Sequence, residues 1–193
     1  MVDSHKSQTP AERDAEVRHC QGVSGPLIEG FSVRVGLPGG GGLWIHHGLV
    51  CREFGEDRQR ADLRAVFQQP GRPEPVAGRW SAPWQTSPPD QGVFRLEMGD
   101  ALLSYGVCRG AVAQGETSLG WDLRFPWDAE GVSSQRTPFC WPIPQVASPV
   151  EGMLRVGAEE ISLAGASMTM DHHWGSRWPV RWVRAGCLHW DGG

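Results

Sequence analysis

The chain has no Asn, one Lys (Lys6) and one Tyr (Tyr105) in 193 residues. Without Asn there is no acceptor for N-linked glycosylation. Lys, Asn and Tyr are the residues of AT-rich codons, so a GC-rich bacterial genome accounts for their scarcity. The formal charge of −4 excludes a broadly basic nucleic-acid binder. The five cysteines (Cys20, Cys51, Cys108, Cys140, Cys187) are odd in number and lack CxxC spacing. That argues against a disulfide framework or a Cys-rich zinc site and fits a reduced cytoplasm. The N-terminal MVDSHKSQTPAERDAEVRHC has no apolar core, so no secretory leader is expected. No apolar run approaches ~18 residues, so no membrane span is expected either. Against these shortages stand ten Trp, which base composition does not explain.

Residues 1–24 read as a polar lead-in. Thr9-Pro10-Ala11-Glu12 has the form of a capping box with Pro at the first helical position, so a short helix to about Cys20 is one reading and a frayed tail the other. After Pro26 the pattern is that of strands. Leu27–Gly36 comes first, and the glycine run Gly39–Gly42 turns the chain into Leu43–Arg52, whose two faces are both partly apolar. Ala61–Phe67 is another short strand. Residues 70–92 are too rich in Pro for a central strand and predict a long loop carrying Trp80 and Trp84. Val93–Met98 and Ala101–Cys108 predict a hairpin about Gly99-Asp100. Thr117–Phe125 alternates most cleanly, with Leu119, Trp121, Leu123 and Phe125 on one face. A second Pro-rich stretch, 138–149, precedes strands at Val150–Val156, Glu160–Ala164 and Met168–His172, and then a Trp-rich run, Trp178–Trp190. Many short strands at intervals of roughly 8–12 residues, with no long helix, predict an all-β sandwich or barrel.

The densest chemistry is Asp171-His172-His173-Trp174-Gly175-Ser176-Arg177-Trp178. On a strand Asp171 and His173 share one face, and His172 and Trp174 the other. A His beside an Asp can act as an oriented acid or base, and an indole face can stabilise a cation. The competing reading is structural: Asp171 capping a turn, one His exposed and Trp174 in the core. His46-His47 point to opposite faces, and only one can enter a barrel. With no i, i+2 or HExxH spacing, no metal site is predicted. Glu29, in an apolar strand, requires a partner, a function or a place at a rim. No phosphate loop, GxSxG triad or nucleophilic Cys signature is present.

Several segments together resemble the lipocalin-like family that includes carotenoid hydratase, tocopherol cyclase, AttH-type proteins and natural-product Diels–Alderases. Ile28-Glu29-Gly30-Phe31, with Val33-Arg34-Val35 and Leu37-Pro38, is similar to the family's opening strand. Leu119-Gly120-Trp121-Asp122-Leu123 resembles a mid-barrel strand. Ser148-Pro149 with Glu151-Gly152 and Val156-Gly157 resembles the strand before the last motif, and Asp171-His172-His173-Trp174-Gly175 resembles that motif. The aromatic pair usual after Glu-Gly is here Phe31-Ser32, which implies a different substrate if that pair lines the pocket.

The resemblance implies a lipocalin-like antiparallel β-barrel or half-barrel with long Pro-rich loops. It implies a barrel over 25–175, with 176–193 leading into the second barrel of the family. The function it implies is a cofactor-independent enzyme of specialised metabolism that cyclises, cycloadds or hydrates a hydrophobic polyene, isoprenoid or polyketide. Asp171, His172 and His173 would be catalytic. Glu29, Trp44, His46, Trp121, Trp174, Arg177 and Trp178 would bind substrate. No cofactor, metal or nucleic acid is expected, and a homodimer or another partner would supply the second barrel. The alternatives are a non-catalytic carrier of an apolar small molecule and a truncated, inactive family member.

Overall fold

A computed structural model describes residues 26–51, 59–83, 94–127, 135–136, 139–140, 143 and 145–176. The lead-in before Cys20, read as a short helix or a frayed tail, the run Trp178–Trp190, and Trp84, Trp141 and Arg177 lie outside them. Among the described residues the structure is all-β, with no helix. The strands are β1 (Leu27–Gly36), β2 (Gly42–Cys51), β3 (Gln59–Gln68), β4 (Val76–Pro83), β5 (Arg95–Met98), β6 (Ala101–Ser104), β7 (Val107–Gln114) and β8 (Thr117–Arg124). They continue with β9 (Gln135–Arg136), β10 (Phe139–Cys140), β11 (Gln145–Val156), β12 (Glu159–Ser162) and β13 (Ala166–Gly175).

The sheet is antiparallel throughout its main path, in the order β4-β3-β2-β1-β13-β11-β8-β7-β6-β5. It curls strongly into a half-barrel, so that β4 packs across β7 although the two share no ladder. The corner is β11. Its first half pairs with β13 and its second half, from Glu151, pairs with β8. Gly152 makes the change of partner sterically open: its φ is 126°, and a Cβ there would meet the Asp122 carbonyl oxygen at 1.9 Å.

Period-two alternation sets the core. Phe31, Val33 and Val35 of β1, Leu43, Ile45 and Leu49 of β2, and Leu63, Ala65 and Phe67 of β3 turn to the concave side. Leu119, Trp121 and Leu123 of β8 meet them from the other wall, as the alternation of that segment predicts. Each large side chain buried here contributes roughly 1.5–3 kcal/mol.

Two local expectations are corrected. Residues 76–83 form a strand rather than part of a loop. The Pro-free run Val76–Ala82 pairs with β3 on one side only, so β4 is an edge strand of the path. Ala101–Cys108 is not one strand, because Tyr105-Gly106 makes a second turn, with Gly106 at φ 70°, and β7 begins at Val107. Cys51 is disulfide-bonded, although the scattered, odd-numbered cysteines argue against a disulfide framework. No helix among the described residues is long and apolar enough to cross a membrane.

Candidate functional site

The register of β3, β2, β1 and β13 converts sequence neighbours into two separate chemistries. On the concave face Leu63, His47, Phe31 and His172 lie in one row across the four strands, with Leu49, Glu29 and Trp174 in the next. On the opposite face one row is Arg64, His46, Ser32 and Asp171. The next is Asp62, Gly48, Gly30 and His173. The pairs His46-His47 and His172-His173 are therefore each split between faces, as strand geometry requires.

On the concave face His172 and Glu29 are fully buried, and His172 Nε2 lies 2.8 Å from Glu29 Oε1. Phe31 stacks on the His172 ring at 3.9 Å between centroids, and Trp174 approaches the ring at 4.5 Å. Glu29 thus has a specific partner in the interior, and the rim position allowed for it is ruled out. His47 is buried, and among the described residues neither ring nitrogen has a hydrogen-bond partner. Burial, followed by the proximity of His46, pushes its pKa down to about 3.

The opposite face carries a cavity of about 440 Å³. Its polar lining is Ser32, Arg34, His46, Asp62, Arg64 and His173. Ile28, Trp44, Leu49 and Val50 supply apolar wall, and Glu29 borders it although its carboxylate turns to His172. The volume lies within the range of small-molecule sites. Beneath the lining, Asp171 is fully buried and accepts a charged hydrogen bond from Arg34 Nη1, while its other oxygen lies 3.5 Å from His173 Nδ1.

The rings of His46 and His173 stack at 5.4 Å and within 2° of parallel. Gly30 lies between them, and a Cβ at that position would come within 2.8 Å of both rings. Trp44 stacks on the outer side of His46 at 5.5 Å, and Ser32 Oγ lies 3.1 Å from His46 Nδ1. Burial, then the neighbouring His173, lowers the His46 pKa to about 4, against smaller opposing effects of Asp171 and Asp62. His46 is therefore a neutral imidazole at pH 7, with Nδ1 engaged by Ser32. The desolvated ring pair disfavours two positive charges, so it suits one proton shared between an acid and a base.

Of the sequence-predicted residues, Asp171, His173, His46 and Trp44 come together here. His172 and Trp174 belong to the concave face, and Trp121 sits in the core on β8, away from the cavity lining. The sequence reading missed Ser32, Arg34, Asp62 and Arg64. Their available signal was polar or charged side chains alternating with apolar ones on β1 and β3. Cys108 is buried, and burial pushes its thiol up to about 12, which makes it no nucleophile. Among the described residues no three His, Cys, Asp or Glu side chains are grouped to hold a metal ion.

No protein-family model matches the chain, and no curated protein matches it. Solved structures do. One is a protein provisionally named AttH from Nitrosomonas europaea, with a TM-score of 0.58 at 12% identity, covering 92% of this chain and 58% of that one. Another is kievitone hydratase from Nectria haematococca, with a TM-score of 0.51 at 12% identity, covering 79% of this chain and 48% of that one. The likeness is one of fold. It agrees with the lipocalin-like architecture that the motifs imply, and the chain spans about half the length of these structures.

Proposed function

We propose that the cavity is the active site of a cofactor-independent enzyme that adds water to a carbon–carbon double bond of an apolar small molecule. The observation that carries this reading is the His46–His173 pair, with Asp171 behind His173, in a cavity also lined by Trp44, Ile28 and Val50. In its imidazolium form His173, oriented by Asp171, gives a proton to one alkene carbon. The π bond breaks, a C–H bond forms and the other carbon becomes cationic beside the Trp44 face. Water oxygen then bonds to that carbon while neutral His46 takes the water proton. Passing that proton back to His173 restores the site. A second imidazole favours hydration over cycloaddition, because a cycloaddition needs shape restraint and no base. The fold shared with a kievitone hydratase is in keeping with the reading.

Polyenes, isoprenoids and polyketides are the substrate classes proposed, with no organic cofactor. A second barrel, from further chain or from a partner, would complete the enclosure. The test incubates the protein with a panel of such alkenes in ¹⁸O-labelled water and follows product mass. Labelled hydration product from the wild type, lost in His173→Gln and His46→Gln variants that still fold, is the expected result. Unaltered ligand retained equally by wild type and both variants would overturn it in favour of a carrier.

A further inference from the structure

The rim of the cavity bears a charge arrangement that the hydration chemistry does not use. Arg64 of β3 and Arg79 of β4 are directly opposite in the ladder. Like charges in that position repel. Both are held by a single carboxylate. Arg64 donates from Nε and Nη2 to the two oxygens of Asp62 at 3.1 and 2.8 Å, and Arg79 does the same at 3.2 and 2.7 Å. Burial alone would raise the Asp62 carboxyl, but the hydrogen bonds from the two guanidiniums outweigh it and hold it below the usual range.

The carboxylate is thus committed as an anion and spent twice. Each guanidinium has five N–H donors and uses two on Asp62. The remaining donors sit on side chains that are 49% and 57% exposed, Arg64 lining the cavity and Arg79 beside it on the neighbouring strand. Arg34, the other cationic lining residue, is matched by Asp171. Arg34, Arg64 and Arg79 against Asp62 and Asp171 leave one positive charge among these five side chains, in a protein whose net charge is −4. The same cavity is lined by apolar side chains on either side of the His46–Arg64 row, Trp44 on one side and Ile28 and Val50 on the other.

We propose that the cavity takes an amphiphile, with an apolar body on the cavity's apolar lining beside Trp44 and an oxyanion head group seated on the Arg64–Arg79 pair. The inference deepens the reading of the cavity as an active site by naming the substrate class. The shared chemistry is a planar or tetrahedral oxyanion, for which a guanidinium fork is suited. Carboxylate and phosphate are its two sources.

The test measures binding by titration calorimetry with three probes of equal chain length: decanoate, decyl phosphate and decanol. At least one anion is expected to bind about tenfold more tightly than decanol, and added salt should erode the difference. Which anion wins identifies the head group. Arg64→Gln is expected to abolish the preference, so that neither anion binds this variant more tightly than decanol does. Arg155→Gln on β11, which removes the same charge from an exposed pair with Glu160 of β12, should leave the preference intact. Equal affinity for all three probes, or equal loss in both variants, would overturn the proposal. The readout is separate from turnover. Anion preference without any hydration sinks the enzymatic reading and leaves the head-group site standing, and hydration without anion preference does the reverse.

Discussion

His46 and His173, 127 residues apart in the chain, lie face to face at 5.4 Å because the residue between them, Gly30, has no side chain. An added Cβ would meet His173 Nε2 at 2.6 Å and His46 Cε1 at 2.7 Å. Gly30→Ala is therefore expected to spread the rings. It should cost about 1–3 kcal/mol as an overpacking change and lower the hydration rate by more than its effect on folding. Urea unfolding together with turnover checks this, and a variant with wild-type rate would separate the stack from the chemistry.

The fold was legible because strand periodicity survives without context. Leu119, Trp121 and Leu123 alternate in sequence and are buried as their alternation requires. The split of Asp171 and His173 from His172 and Trp174 follows from the same period. What the chain order cannot carry is which strands become neighbours. Arg34 reaches Asp171 only because β1 and β13 pair, and Arg64 faces His46 only because β2 and β3 pair. Edge strand β4 escaped for a different reason. The prolines around it dominate its composition, while the run that pairs with β3 contains none before Pro83.

Both buried imidazoles on β2 make stability depend on pH. Their folded pKa values, about 4 for His46 and about 3 for His47, lie below the ordinary 6.5. Between those values and 6.5 the unfolded chain binds more protons than the folded one, so stability rises with pH through that window. The contribution is fully present above pH 6.5 and is lost as pH falls towards 4 and then 3. A loss of several kcal/mol, of the order of the combined shifts, is expected across pH 6.5–4. Urea midpoints measured in steps over that range give the slope, which His46→Gln should reduce.

His47→Leu is expected to stabilise the protein by about 1–3 kcal/mol at pH 7, because the imidazole hydrogen-bonds to nothing among the described residues and its nitrogens are desolvated. It should also remove the His47 share of the acid slope. A lower thermal midpoint for this variant would mean that the ring nitrogens have a partner that the loss exposes.

His172 and His173 should respond differently to the same substitution. His172 is held in the interior by Glu29 and Phe31, so His172→Gln disturbs the buried hydrogen bond to Glu29 and the stack on Phe31 and is expected to cost about 1–3 kcal/mol. His173→Gln leaves that pair intact and should abolish hydration with a smaller change in stability. Parallel unfolding and turnover measurements decide it. A rate loss for His172→Gln at unchanged stability would move the chemistry to the concave face.

Asp171 touches both Arg34 and His173, and its two roles can be separated. Asp171→Asn leaves the Arg34 guanidinium without its counter-charge and should destabilise the fold. It should also release His173 from its orienting contact and lower kcat by about 10²–10⁴-fold. In the double variant Arg34→Gln/Asp171→Asn the stranded cation is gone, so stability should recover towards wild type. The rate should not, because the Asp171 carboxylate beside His173 is gone. A double-mutant cycle in unfolding free energy and in kcat reads the two couplings independently. Recovery of kcat along with stability would show that Asp171 acts on the fold through Arg34 and not on the proton held by His173.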